Sequence, residues 1–151
     1  NDKQKEFFFF FFEIAKAKEL TVIIHTRNSI DDSIQVVKNN YSGKLKGQFH
    51  CFDGTVEQLD KVMELNTFYV SFTGNVTYKK YAYSETVVKV PMNRVLSETD
   101  SPFLSPLPHR GKPNEPSYII NTIKKIAEFK NVTEEEMKKR FRENVTSLFR
   151  I

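Results

Sequence analysis

The 151-residue chain has little of several things. One cysteine, Cys51, allows no intrachain disulfide, and no Cys-x-x-Cys spacing offers a zinc knuckle. This scarcity favours a reducing address, and the expected location is cytoplasmic or nuclear. Five glycines and six prolines exclude a collagen-like or linker-dominated chain. The longest unbroken apolar run, Phe7 to Phe12, has six residues, where a membrane-spanning helix needs about 20, so no membrane partner is expected. No basic start followed by an apolar core and a small-residue cleavage site reads as a signal peptide.

What is present is an ordinary globular balance, 39% hydrophobic and 28% charged. Lys and Arg exceed Asp and Glu by four, with a pI near 9.1. A mildly basic surface is compatible with a nucleic-acid or phosphate substrate, but many proteins are this basic without such a role.

Strand-like and helix-like segments alternate. Residues 13–20 read as the end of a helix, and Thr21–His25 as a short β-rich run. Ser29 caps a helix, with Asp32 three residues on and Ile30, Ile34 and Val37 on one face. A loop over 39–46 leads to a strand over 47–52. Thr55 and Gln58 form a capping box for a helix with Val56, Leu59, Val62 and Met63 on its apolar stripe. Further strands are expected over 68–73 and 94–98, with a helix over 78–89 between them. Pro116 opens a helix carrying Ile119, Ile123, Ile126 and Ala127. Thr133 and Glu136 box the last one, which faces Met137, Phe141, Val145 and Leu148 inward. The alternation argues for parallel β/α units. Four such strands make either a small open sheet or half of an eight-stranded barrel, and the pattern does not separate the two.

Polar residues gather at the ends of these strands, where ligands and catalytic groups sit in α/β folds. His25 ends the first, His50 lies near the end of the second, and Asp100 follows the fourth. Two imidazoles and a carboxylate suit zinc, manganese or a similar ion. Any one of these histidines alone reads as structural; together with Asp100 they are compatible with either a metal site or a structural role, and the pattern does not separate the two. Glu98, two residues before Asp100, shares its face and reads as a residue orienting a ligand histidine. Arg27, two residues after His25, suits either a substrate phosphate or a surface salt bridge. Arg110, Asn114 and Glu115 lie in the loop after the last strand, where barrels bind phosphate. His109 in that loop reads as a solvated histidine, and Cys51 as a small buried hydrophobe facing away from the mouth.

These residues carry a resemblance. Val22-Ile-Ile-His25-Thr-Arg27, Phe49-His50-Cys-Phe52-Asp-Gly54, Val70-Ser-Phe-Thr-Gly74 and Leu96-Ser-Glu-Thr-Asp100-Ser-Pro102 resemble successive signatures of the TatD-related deoxyribonucleases. Arg110-Gly-Lys-Pro-Asn-Glu-Pro116 and Glu143-Asn-Val-Thr-Ser-Leu-Phe149 continue the match in order. The resemblance implies a (β/α)8 barrel of which this chain supplies strands five to eight, the C-terminal half, as a single partial domain over 1–151. It also implies a site of two divalent ions hydrolysing DNA phosphodiesters. His25 and His50 match the histidines that bind one ion. Asp100 matches the aspartate that binds the other and accepts a proton from the attacking water. Zinc or manganese suits the histidine pair, and magnesium prefers more oxygen ligands.

Three features depart from the family pattern. Asn28 stands where the family commonly carries an acidic residue. The family's His-x-His pair and bridging Glu are not in this chain, whose histidines are His25, His50 and His109. Phe7–Phe12 replaces an amphipathic pattern with a helix apolar all round, which calls for burial on every side or a partner. The simplest account is a repeat peculiarity of the sequence; the functional one is an interface. The expectation is therefore a metal-dependent DNase whose catalytic set is incomplete in this chain, with DNA as partner. One alternative is a non-catalytic half barrel, assembling with a complementary N-terminal half or with itself through Phe7–Phe12. The other is an amidohydrolase acting on a small C–N or C–O substrate.

Overall fold

The β-rich runs form strands where the sequence places them, in a computed structural model that describes residues 2–151. They are β1 (Thr21–His25), β2 (Lys46–His50), β3 (Phe68–Phe72) and β4 (Val95–Ser97). The α-helices among the described residues are α1 (Asp2–Lys18), α2 (Ile30–Asn40), α3 (Val56–Met63), α4 (Ser84–Lys89), α5 (Ile119–Lys130) and α6 (Glu134–Phe149), with short 3-10 turns at Gly74–Thr77 and Pro116–Tyr118. All neighbouring strands pair in parallel, in the order β1-β2-β3-β4. A doubly wound sheet reverses its order at a switch point and is covered on both faces. Here the order is sequential, with one helix between each pair of strands, which is the winding of a barrel segment.

The two faces of the sheet differ accordingly. Ile24, Phe49, Phe68, Val70 and Val95 pack against Phe12 and Ala15 of α1, Ile34 and Val37 of α2, and apolar positions of α3 to α6. Each of these large side chains contributes roughly 1.5–3 kcal/mol through burial. On the opposite face Ile23, Gln48 and Tyr69 lie in one register row, and His25 and His50 in the next. That second face is closed on one side only. Leu148 of α6, with Val145 and Phe149, covers Tyr69 and Leu96, whereas Ile23 on β1 is 58% exposed.

Two devices fix the packing of strand on strand and of helix on sheet. At Gly47 an added Cβ would lie 2.6 Å from the Phe68 ring and the Val22 side chain, so β2 approaches its neighbours as only glycine allows. Asn144 of α6 is buried and donates to the carbonyls of Met92 and Val95 at 2.9 and 2.7 Å, tying α6 to the start of β4.

Several expected boundaries shift. The strand expected over 47–52 ends at His50, because Cys51 takes a left-handed conformation with φ +47°. The helix expected over 78–89 is confined to Ser84–Lys89, and residues 78–83 lie in the connection that precedes it. Ser29 precedes α2 without a side-chain capping bond. Thr55 and Gln58 do form both bonds of a capping box, but Thr133 makes only its own half, accepting from the Glu136 N–H. In α1, Phe12 and Ala15 are buried and Phe8 partly so, while Phe7, Phe9, Phe10 and Phe11 are 53–60% exposed. The all-round apolar helix thus buries one side. No helix among the described residues is long and apolar enough to cross a membrane.

Candidate metal centre

The polar cluster stands at the C-terminal edge of β1, β2 and β4. His25 and His50 are register partners at the ends of adjacent strands, with ring centroids 5.2 Å apart. His50 is held from both sides. Its Nδ1 lies 2.8 Å from Glu98 Oε2, and its Nε2 lies 3.4 Å from Asp100 Oδ1. The hydrogen bond to Glu98, with the negative charges of Glu98 and Asp100, raises the His50 pKa above its ordinary value against the opposing effect of burial.

Glu98 is fixed in turn. The Cys51 N–H donates to its Oε1 at 2.6 Å, and Gln48 Nε2 lies 3.4 Å from its Oε2. The left-handed turn at Cys51 therefore has a purpose: it aims a backbone donor at the carboxylate that orients the preceding histidine. Nothing in the residue type at 51 signals this, since cysteine has no special tolerance for positive φ. The Cys51 thiol is half-buried, within 3.4 Å of Thr73 Oγ1, and burial pushes its pKa up to about 11. It is an inert packing group rather than a nucleophile.

Asp100 also has a positive φ, +57°. The turn around it is clasped by Asn114, whose Nδ2 donates to the carbonyls of Thr99 and Phe103, both at 2.7 Å. Asn114 was expected among the substrate-binding residues; its side chain is buried, with Nδ2 bound to backbone and Oδ1 without a hydrogen-bond partner among the described residues, and through Nδ2 it holds the Asp100 turn in shape. Glu115 and Arg110 are exposed. The Arg110 guanidinium lies 4.2 Å over the Tyr78 ring. Arg27 is exposed too and shares a cavity of about 290 Å³ with His25, between α1 and α2. His109 stacks on Tyr118 at 3.7 Å, away from any ligand role.

The residue types fit a borderline divalent cation: two imidazoles and a carboxylate, with one imidazole oriented by a second carboxylate. Their number is short of a closed shell. Among the described residues no three His, Cys, Asp or Glu side chains gather as a complete metal-binding group. The arrangement is an open row of donors along a strand edge.

A parallel sheet wound in barrel order with polar side chains at its C-terminal edge has the layout of the ligand-binding end of an α/β barrel. The chain belongs to the TatD related DNase family, whose model matches residues 1–150. It is 43% identical over 151 residues to YabD of Bacillus subtilis, described as an uncharacterized metal-dependent hydrolase, covering 99% of this chain and 59% of that protein. It is 34% identical to the similarly described YcfH of Escherichia coli, covering 99% of this chain and 56% of the relative. The crystal structure of YJJV, a TatD homolog from Escherichia coli, superposes with a TM-score of 0.84 at 25% identity, over 93% of this chain and 54% of that one. The chain thus spans a little over half the length of the relatives it matches.

Proposed function

We propose that this chain carries part of the active site of a metal-dependent phosphodiesterase acting on DNA. The observation behind this reading is the arrangement of His50, oriented through Nδ1 by Glu98 and presenting Nε2 toward Asp100, with His25 beside it. When bound, a divalent cation on these donors supplies a Lewis acid and lowers the pKa of water toward about 7. Glu98 keeps the imidazole in the tautomer that leaves Nε2 free to bind. The Asp100 carboxylate is placed to take the proton of an attacking water. Arg27 and Arg110, both exposed near this end of the sheet, suit a phosphate more than a neutral amide.

The test is the purified chain with Mn²⁺ or Zn²⁺, offered labelled DNA and, separately, small amides. Slow DNA cleavage that Asp100→Ala abolishes is expected, slow because the donors present make up part of a two-ion site. Cleavage of amides without cleavage of DNA would overturn the phosphodiester reading in favour of an amidohydrolase.

A second reading rests on a different observation, the exposure of Ile23 on the open sheet face and of four phenylalanines on α1. It makes the chain a half barrel that assembles with itself or with a complementary half.

A further inference from the structure

Helix α1 has two apolar sides. Phe12, Ala15 and part of Phe8 pack into the core, while Phe7, Phe10 and Phe11 are 58–60% exposed and Ile14 is 39% exposed. The exposed set is ordered. Phe7, Phe10, Ile14 and Ala17 recur at alternating spacings of three and four, the a and d positions of a heptad seam turned away from the core. Phe11 widens this stripe, and its ring meets that of Phe10 edge to face at 6.0 Å.

Charge divides by flank. Glu6 and Glu13 border the stripe at g positions, and Gln4 and Lys18 border it at e positions, all four exposed. Glu13 pairs with Lys16 of its own helix, and Lys18 has no ion-pair partner among the described residues.

We propose that α1 pairs in parallel with α1 of a second copy of this chain, with Phe7, Phe10 and Ile14 of each forming the seam. The charges set the orientation. In a parallel pair each g residue faces the e residue five positions further along its partner, so Glu13 meets Lys18 of the other copy on both sides of the seam. An antiparallel pair sets g against g, Glu13 against Glu6, and these like charges oppose it. The same acidic flank opposes docking on an anionic membrane surface. The area suffices for a weak dimer. Since an aromatic side chain buries about 150–250 Å², the exposed parts of Phe7, Phe10, Phe11 and Ile14 offer roughly 300–500 Å² per copy. With the flanking side chains, two copies pass about 1,000 Å², the lower bound of a specific interface. The inference is independent of hydrolysis; it rests on the self-assembly reading and gives that reading a surface, a partner and a register.

Sedimentation equilibrium of the 151-residue chain is expected to show monomer and dimer exchanging at about 10–100 µM. Glu13→Lys is expected to weaken the dimer about tenfold, and Glu13→Lys/Lys18→Glu to restore it by rebuilding the pair in reverse. Ile14→Cys should give a disulfide-linked dimer under mild oxidation, where wild type, with half-buried Cys51 alone, does not. Circular dichroism checks that every variant keeps its helix content. A wild-type monomer at every concentration would overturn both the pairing and the self-assembly reading. An unchanged constant in Glu13→Lys, or tighter association as an antiparallel pair requires, would overturn the parallel pairing. So would a monomer that cosediments with phosphatidylglycerol vesicles, which would assign the stripe to a membrane. A dimer loosened by Ile23→Lys and indifferent to Glu13→Lys would sink the α1 pairing and leave assembly through the open sheet face standing.

Discussion

Glu98 receives a backbone N–H from Cys51 and bonds His50, so one carboxylate fixes both the turn and the histidine that precedes it. Glu98→Gln keeps the shape but removes the charge, and its single amide oxygen can accept from the Cys51 N–H or from His50 Nδ1–H but not from both. Affinity of the chain for Zn²⁺, followed by isothermal titration, is expected to fall about 10–100-fold. An unchanged affinity would show that His50 is oriented by something else. The sequence placed Glu98 and Asp100 on one face and assigned Glu98 this role from spacing alone. It assigned Asn114 to the substrate, because an exposed amide and a buried one read identically in a loop motif. What distinguishes them is the pair of carbonyls, Thr99 and Phe103, that the fold brings to the Asn114 side chain.

At the scale of elements, three contacts decide how strands and helices meet one another. Gly47→Ala places a methyl carbon 2.6 Å from Phe68 and Val22, and a loss of about 1–3 kcal/mol in urea unfolding is expected. Asn144→Ala leaves the Met92 and Val95 carbonyls without their side-chain donor, and about 2–3 kcal/mol should be lost in the same measurement. Lys130, at the end of α5, donates to the carbonyls of Val88 and Val90 at the end of α4, and burial lowers its pKa to about 8. Because its ordinary value is 10.5, the unfolded chain holds this proton through the interval from about 8 to 10.5 while the folded chain releases it. Its contribution to stability therefore rises with pH across that window, and the rise should be missing from Lys130→Met. A wild-type and variant difference that stays flat from pH 7.5 to 10.5 would contradict the assignment.

For the whole molecule, the sequential parallel sheet is covered on one face and half covered on the other. Exposed apolar side chains lie on β1, at the uncovered side, and on the solvent face of α1, which packs on the covered face. If these surfaces associate, Phe7→Glu/Phe11→Glu should shift the chain to smaller species in sedimentation velocity, with the helix content unchanged by circular dichroism. A wild-type chain that sediments as one monomer at all concentrations would count against assembly, and against the interface account of the phenylalanine run.

Periodicity and capping made β1, α3 and the stripes of α5 and α6 legible, because alternation and helical spacing are written in consecutive residues. The positions of His25 and His50 at strand ends were legible for the same reason, whereas Asp100 stands in the turn three residues past β4. Tyr78–Tyr83 was misread as helix, since its tyrosines can be counted toward an apolar stripe that tertiary packing does not use. Winding order, the open face beside Ile23, and the left-handed turns at Cys51 and Asp100 came only from the tertiary structure. Each depends on which distant segments become neighbours, and local propensity carries no record of that.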